Sequence, residues 1–226
     1  MQTPEEYQTL LSAISHEIRN PVTLINSYLQ LIEQTHPEIC SCQYWDTVRQ
    51  EMTHLRALLE DISSYQNVSR LHTEPIDMTA YLNEYAASLT PLLAQNASVA
   101  FSADISRKLP VLPADPVRLR QVLDNLIRNA LEALAQKSDD SSRILSLSAS
   151  MSGDALCILI CDNGYGIDPE YLDTLFDPFV THKQNGTGLG LAICRQITEA
   201  HGGTLRCLSC GHPTVFEVRL PKGTLR

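Results

Sequence analysis

Two series of apolar residues, spaced alternately three and four positions apart, constrain the fold of the first 68 residues more than any other feature. The first series is Leu11, Ile14, Ile18, Pro21, Ile25, Tyr28 and Ile32. The second series is Trp45, Val48, Met52, Leu55, Leu59 and Ile62. This spacing places apolar side chains along one stripe of an α-helix, and Pro37 favours a break between the series because proline cannot continue a helix. The pattern predicts a helical hairpin.

A single hairpin has only a thin shared core between its two apolar stripes. A second copy of the hairpin would cover both stripes and complete a symmetric four-helix bundle. We therefore predict a homodimer; the alternative is that the hairpin packs on the rest of its own chain.

The pattern changes after residues 69–77, a segment that contains a proline and interrupts the helical spacing. Beyond it, amphipathic helical stretches alternate with strand-like runs, and TLRCLSC and TVFEVRLP have the pattern of a closing hairpin. Helices segregated from a mostly antiparallel sheet make a two-layer α/β sandwich. We predict an α+β chain of two domains, 1–68 and 78–226, joined by a linker at 69–77.

Charge and hydropathy exclude several classes of protein. The formal net charge is −9 and no long basic run is present, which argues against a nucleic-acid partner. The longest apolar run, 155–161, has the length of a buried strand and is too short for a membrane span. The N-terminus lacks the pattern of a signal peptide. We expect a cytoplasmic location; tethering through a sensor segment missing from this sequence stays open.

The seven cysteines do not suggest a disulfide framework. Cys207-Leu-Ser-Cys210-Gly-His212 has the spacing of a metal or redox motif, but no second pair follows at zinc-finger spacing. A redox role for these cysteines is left open.

Three stretches of the second domain carry polar or glycine patterns that suit a ligand. Asn125 and Asn129 share one face of a predicted amphipathic helix, and a carboxamide oxygen can ligate Mg²⁺. Asp162-Asn-Gly-Tyr-Gly-Ile-Asp follows a buried strand, where a carboxylate can accept a hydrogen bond from an exocyclic amine. Gly186-Thr-Gly-Leu-Gly opens a helix, and helix N-terminal amides with glycines can hold phosphates.

The order of these stretches, with SHEIRNP upstream, resembles a bacterial two-component sensor histidine kinase with a HisKA domain and a GHKL-type ATP-binding domain. His16 lies in the stretch that resembles the H-box and residues 124–133 resemble the N-box. DNGYGID resembles the G1 box, FDPF at 176–179 the F-box, and GTGLGLA the G2 box. The resemblance covers almost the whole chain.

The resemblance implies a role for each matching residue. His16 would accept the γ-phosphoryl group of ATP and pass it to an aspartate of a response regulator receiver domain. Glu17 would act as its acid–base neighbour, and Asn20 would position a water in the reverse, phosphatase reaction. Asn129 would ligate Mg²⁺ and Asp162 would read the adenine amine. The other residues that would bind ATP are Asn125, Gly164, Gly166, Lys183, Gly186, Thr187, Gly188, Leu189 and Gly190.

Two further readings stay open at this stage. One is a non-catalytic phosphotransfer or scaffold protein that keeps the helical bundle but has lost ATP binding, which the intact glycines, Asn129 and Asp162 disfavour. The other is a GHKL ATPase. The resemblance disfavours it because members that hydrolyse ATP carry a water-activating glutamate at the position of Asn125.

Overall fold

The computed structural model describes residues 4–66, 71–94, 99–137, 142–183 and 186–223. For residues 4–16, and for Leu92 and Ala94, it describes the backbone alone. Contacts divide the chain into two compact units. A helical unit contains residues 1–67 and 181–189, and an α/β unit contains residues 68–180 and 190–226.

The helical unit is built on an antiparallel hairpin. Helix α1 spans Pro4–Thr35 and continues through Pro21, a short 3-10 turn spans Pro37–Ser41, and helix α2 spans Trp45–Gln66. Pro37 stands at the start of the turn, where its missing amide costs no hydrogen bond. The predicted hairpin is confirmed, with its break at the predicted proline.

The face of α1 that meets α2 is partly polar. Val22 is buried there, but Glu33 accepts a hydrogen bond from Trp45 Nε1 at 2.9 Å, and Arg49 Nη1 donates to Asn26 Oδ1 at 3.2 Å. Arg49 also pairs with Glu33 at 3.2 Å. These contacts fix the hairpin's register without using the predicted apolar series of α1.

That apolar series lies mostly on the exposed side of α1. Ile18, Ile25 and Tyr28 are 41%, 48% and 57% exposed, and Leu24 and Leu31 extend the same apolar surface. In α2, Trp45 and Leu59 are buried whereas Val48 is exposed. The single hairpin therefore leaves a long apolar surface uncovered, which is rare on a monomeric domain.

The α/β unit contains a five-stranded sheet in the order β2-β4-β5-β7-β6. The strands are β2 Val99–Ile105, β4 Arg143–Ser152, β5 Ala155–Asp162, β6 Thr204–Cys210 and β7 Thr214–Pro221. β2 and β4 are parallel, and the other neighbours are antiparallel. Two short strands, β1 Glu74–Asp77 and β3 Val111–Ala114, pair separately.

Three helices contact this sheet: α3 Met78–Ala94, α4 Pro116–Ala135 and α5 Gly190–Ala200. They leave the alternate residues of the central strands fully buried, among them Leu145, Leu147, Ile158, Ile160 and Val218. This is the predicted α/β sandwich. It differs from the sequence expectation at 69–77, where the predicted linker includes strand β1.

Within the described residues, no helix is both long enough and apolar enough to cross a membrane.

Candidate functional site

Asp162 is the last residue of the central strand β5 and is only 4% exposed. Its Oδ1 accepts a hydrogen bond from the Gly164 amide at 2.8 Å. Burial raises the pKa of this carboxyl above its usual range, although the Gly164 amide and the nearby His212 act in the opposite direction. Burying an ionised carboxylate at a strand end destabilises the fold. Asp162 is therefore a better candidate for binding a ligand than for stabilising the domain.

The two glycines after Asp162 hold the chain close to its neighbours. A Cβ on Gly164 would lie 2.6 Å from the Cβ of Ala133 in α4. Gly166 has a φ of +83°, and a Cβ there would lie 2.9 Å from the carbonyl oxygen of Cys210. The Ile167 amide donates to that same oxygen at 2.6 Å. This loop, residues 163–167, therefore rests on α4 at one side and on the end of β6 at the other, and only glycine fits at both contacts.

Helix α4 carries the predicted asparagine pair. Asn125 is 6% exposed, its Oδ1 accepts from Arg128 Nη2 at 2.6 Å, and its Nδ2 donates to the Gly190 carbonyl at 3.5 Å. Asn129 follows one turn later and is half-buried. Asn125 thus links α4 to the first residue of α5, and Asn129 lies nearer Ala133, against which the loop at Gly164 packs.

The start of α4 is fixed by Asp115. This buried aspartate caps the helix, accepting from the amides of Val117 at 3.1 Å and Arg118 at 3.0 Å, and it also accepts from the His72 amide at 2.8 Å. Burial would raise the pKa of Asp115, but these three hydrogen bonds and the charge interaction with His201 together outweigh it and hold the pKa below its usual value. The cap positions the helix that presents both asparagines.

The glycine-rich segment before α5 belongs to the helical unit as far as Leu189. Gly188 has a φ of +67°, Leu189 is 1% exposed, and the Leu189 amide donates to Thr187 Oγ1 at 3.1 Å. The Thr187 hydroxyl in turn donates to Asp61 Oδ2 at 2.9 Å. These contacts shape the turn that leads into α5.

Lys183 and Gly186 lie earlier in that segment, on either side of two positions outside the described residues. Lys183 is half-buried, its amide donates to Thr181 Oγ1 at 3.2 Å, and the Gly186 amide donates to its carbonyl at 3.2 Å. A Cβ on Gly186 would collide with the Thr181 hydroxyl. Gly186 therefore lies against Thr181 and Lys183, where a larger residue would not fit.

The α/β unit thus contains six of the predicted site residues: Asn125, Asn129, Asp162, Gly164, Gly166 and Gly190. The helical unit contains the rest: His16, Glu17, Asn20, Lys183, Gly186, Thr187, Gly188 and Leu189. His16 lies within α1, and Glu17 and Asn20 are exposed on the same helix.

Two residues that lie within the quoted motifs, but were given no role there, also belong to this region. Arg128 holds Asn125, and its Nη2 lies 3.8 Å from the place that a Cβ on Gly190 would take. Tyr165 has a raised pKa, caused first by burial and then by the negative charges of Glu132 and Asp162. Arg128 is recognisable in the sequence as a cation one turn from Asn125, and Tyr165 as the residue between the two glycines of DNGYGID.

Across the described part of the chain, no group of three or more His, Cys, Asp or Glu residues is arranged to hold a metal ion.

Two family models match this chain. One, described as a histidine kinase-, DNA gyrase B- and HSP90-like ATPase (HATPase_c), matches residues 114–224. The other, described as a His Kinase A phospho-acceptor domain (HisKA), matches residues 6–69. The first contains Asn125, Asp162 and Gly190, and the second contains His16.

Relatives match over both domains. The sensory histidine kinase/phosphatase NtrB of Salmonella typhimurium is 33% identical over 218 residues, which cover 94% of this chain and 61% of NtrB. The curated relatives that this chain matches are longer, and it spans between 33% and 61% of their length.

Solved structures agree with the fold. Full-length ShkA, crystallised with AMPPNP, is 28% identical with a TM-score of 0.75, and the match covers 97% of this chain and 47% of ShkA. The histidine kinase ThkA, in complex with the response regulator protein TrrA, has a TM-score of 0.67 over 95% of this chain and 61% of ThkA. At 23% identity, the likeness to ThkA shows the fold alone.

Proposed function

Because this chain belongs to the histidine kinases that join a HisKA domain to a HATPase_c domain, we propose that it is an ATP-dependent autokinase. In this proposal, His16 receives the γ-phosphoryl group of ATP and then passes it to an aspartate of a response regulator.

The buried Asp162 beside Gly164 is the observation that carries the proposal. The carboxylate is 4% exposed, and its described hydrogen bond, from Gly164, uses Oδ1 alone. An adenine amino group is a suitable donor for such a carboxylate. A side chain at Gly164 would overlap Ala133 and Asp162 Oδ1, so glycine is needed for the loop to pack on α4 while leaving the carboxylate uncovered by a side chain at this position. ShkA, a relative of this fold, was crystallised with the nucleotide analogue AMPPNP.

The phosphate end of the nucleotide is assigned to Asn129, Lys183 and the glycine-rich segment. Asn129 would provide an amide oxygen to Mg²⁺, with Asn125 supporting it from one turn earlier. When bound, Mg²⁺ neutralises phosphate charge during transfer. Lys183 would add a cation, and the backbone amides of Gly186, Thr187, Gly188, Leu189 and Gly190 would hold phosphate oxygens.

His16 suits the role of acceptor because an imidazole is largely neutral and nucleophilic near neutral pH. Its ring nitrogen forms the new bond to phosphorus as the bond to the β-phosphate oxygen breaks and ADP leaves. Glu17, the next residue of α1, would orient the ring or accept its proton. The aspartate of the response regulator then takes the phosphoryl group from the imidazole, which returns to its neutral form.

We also propose that the chain dephosphorylates its response regulator. Asn20 is exposed and lies about one helical turn beyond His16, where its carboxamide could position a water against a phospho-aspartate. NtrB, which shares 33% identity, is named a kinase/phosphatase.

The phosphatase proposal predicts a selective effect of Asn20→Ala. The variant is expected to phosphorylate His16 as the wild type does, but to dephosphorylate the purified phospho-regulator at least about tenfold more slowly, because the water loses its positioning group. Loss of label from the regulator measures this, with Gln30→Ala on the same helix as a control. An unchanged dephosphorylation rate in Asn20→Ala would exclude the role.

The uncovered apolar surface of α1 supports a homodimer in which two hairpins form a four-helix bundle. Ile18, Ile25 and Tyr28 would then become buried against the second copy. For the two domains of this chain we propose a cytoplasmic location, because their substrate ATP and a response regulator meet there.

Incubation with γ-labelled ATP separates the kinase from the two alternatives. The kinase is expected to acquire label that is acid-labile and base-stable, as a phosphohistidine is, and His16→Gln is expected to acquire none. Free phosphate without labelled protein would favour a GHKL ATPase. Neither label nor free phosphate would favour a scaffold protein. Asn125 supports the kinase over the ATPase, because an amide cannot act as the base that activates water.

A further inference from the structure

Cys207 and Cys210 lie side by side near the end of strand β6. Their sulfur atoms are 3.5 Å apart and both residues are half-buried. Residues three positions apart in a regular strand point to opposite faces of a sheet. Here a bulge shifts the register between Cys207 and Ser209, so that Cys207 pairs with Phe216 and Cys210 with Thr214. The extra residue at Leu208 brings the two thiols to one face.

This face is the one that carries Asp162. Cys210 is opposite Thr214 on β7, and Thr214 is opposite Asp162 on β5, so the three residues form one row across the sheet. Thr214 is buried between the other two. The cysteine pair is therefore two strands away from the carboxylate assigned to the adenine.

The backbone of Cys210 also supports the loop after Asp162. Its carbonyl oxygen accepts the Ile167 amide at 2.6 Å and lies 2.9 Å from where a Gly166 Cβ would be. A change in the backbone at Cys210 would reach this loop directly, because the contact leaves no free space.

We propose that Cys207 and Cys210 form a reversible disulfide that weakens nucleotide binding by moving the loop at residues 163–167. The loop's part in nucleotide binding rests on the proposed function above. Forming the bond requires the sulfur atoms to approach from 3.5 Å to about 2 Å, and the carbonyl of Cys210 moves with them.

The oxidant in this proposal is hydrogen peroxide. The Cys210 thiolate attacks one peroxide oxygen, the O–O bond breaks, and one water leaves as Cys210 becomes a sulfenic acid. The Cys207 sulfur then attacks the Cys210 sulfur and releases the second water. Two thiols are thereby oxidised to one disulfide as one peroxide is reduced to two waters, and a dithiol reductant reverses the bond.

The order of the two steps follows from the surroundings of Cys207. Burial, together with a hydrogen bond and charge interaction with Cys210, raises the pKa of the Cys207 thiol well above its usual value. Thiolate is the reactive form, so Cys207 is the poorer first nucleophile and acts as the resolving thiol.

The experiment uses the full chain with Cys40→Ser and Cys42→Ser, which removes the two exposed thiols of the helical hairpin. Protein is treated with peroxide, and half of each sample is then reduced with dithiothreitol. Mass spectrometry identifies a peptide linked through Cys207 and Cys210. Hydrogen exchange at the Ile167 amide reports the loop, and binding of AMPPNP reports the site. Cys207→Ser removes the pair, whereas Cys161→Ser is a matched control on strand β5 of the same sheet.

We expect the linked peptide, faster exchange at Ile167 and several-fold weaker AMPPNP binding after oxidation, all reversed by dithiothreitol. The Cys161→Ser control should respond in the same way. Cys207→Ser, compared with itself before oxidation, should show none of these changes, and dimedone should trap a sulfenic acid at Cys210.

Absence of the linked peptide would overturn the proposal. A linked peptide with unchanged exchange at Ile167 would overturn the coupling to the loop, and faster exchange with unchanged AMPPNP affinity would overturn its effect on nucleotide binding. Reduced protein that fails to bind AMPPNP would instead contradict the proposed function, because the disulfide and the exchange are measured without nucleotide.

Discussion

At the scale of single residues, Asp162 has opposite effects on binding and on stability. Burial raises the pKa of Asp162. Once the pH exceeds that pKa, the ionised side chain lowers the free energy of unfolding. A ligand that donates a hydrogen bond to the carboxylate would offset this cost. Asp162 is therefore best explained by what it binds.

The substitution Asp162→Asn is expected to weaken AMPPNP binding about ten- to a hundredfold, since a hydrogen bond to a charged group contributes about 1.5–3 kcal/mol. Calorimetric titration measures this, with Asp154→Asn, at the exposed turn before β5, as the control. Unchanged affinity in Asp162→Asn would contradict the assignment of the adenine site.

The same variant is expected to unfold at a higher denaturant concentration than the wild type at neutral pH. Because the folded pKa of Asp162 is raised, the stability that its protonated form contributes is fully present below the unfolded pKa and is lost as the pH rises through the folded pKa. The advantage of Asp162→Asn should thus be small in acid and should grow through that range. Urea unfolding at a series of pH values tests it, and a constant difference would show that burial of the charge is not the cause.

At the scale of secondary-structure elements, helix α4 is the support of the candidate site. Its two asparagines share a face, and its first turn is capped by the buried Asp115. The Asp115 amide also donates to Nε2 of His201 at 3.0 Å, which links this cap to the residue just after α5. A helix anchored in this way can place both asparagines reproducibly.

The substitution Asp115→Ala is expected to lower the free energy of unfolding by about 1–2 kcal/mol, as loss of a helix cap does. Asp115→Asn keeps an acceptor oxygen and should lose less. Because the folded pKa of Asp115 is lowered, its contribution is present above the unfolded pKa and disappears as the pH falls through the folded pKa. Urea unfolding measures both variants; equal stability of Asp115→Ala and wild type would show that the cap is unimportant.

Most elements could be predicted from the sequence because their signals are local. Asp115-Pro116 marks the start of α4, and the apolar run 155–161 becomes the central strand β5. Strands β1 and β3 have no clear signal in the sequence, because each has only four residues and contains a proline. The bulge at Leu208 also has no local signal, since it depends on how β6 aligns with β7. The motifs contain Arg128 and Tyr165, but the hydrogen bond from Arg128 to Asn125 and the burial of Tyr165 beside Glu132 and Asp162 depend on the fold.

At the scale of the whole molecule, the two sides of α1 have different contacts. Polar side chains face α2, whereas apolar side chains lie on the exposed side. Arg49, Asn26 and Glu33 connect the two helices of the hairpin, so the apolar series of α1 is available for another surface. The spacing predicts that a second hairpin covers both apolar stripes. In a single chain, Ile18, Ile25 and Tyr28 of the first stripe are exposed.

Charges introduced on this surface are expected to prevent association. Ile25→Glu combined with Tyr28→Glu should convert a dimer into a monomer, because burying a carboxylate against a second apolar surface is unfavourable. Light scattering coupled to size-exclusion chromatography measures the mass, with Gln30→Glu and Gln34→Glu, two exposed positions of α1, as the charge-matched control. A dimer that persists in the first variant, or a wild type that is monomeric, would contradict the bundle.

The central claim is that nucleotide bound at Asp162 phosphorylates His16. Fragmentation mass spectrometry under mildly alkaline conditions, after incubation with ATP and Mg²⁺, can locate one added phosphoryl group along the chain. At an ATP concentration close to the wild-type dissociation constant, we predict that group on His16 in the wild type, a much smaller amount on His16 in Asp162→Asn, and none in His16→Gln. A phosphoryl group on another residue, or equal phosphorylation of His16 in Asp162→Asn and the wild type, would contradict it.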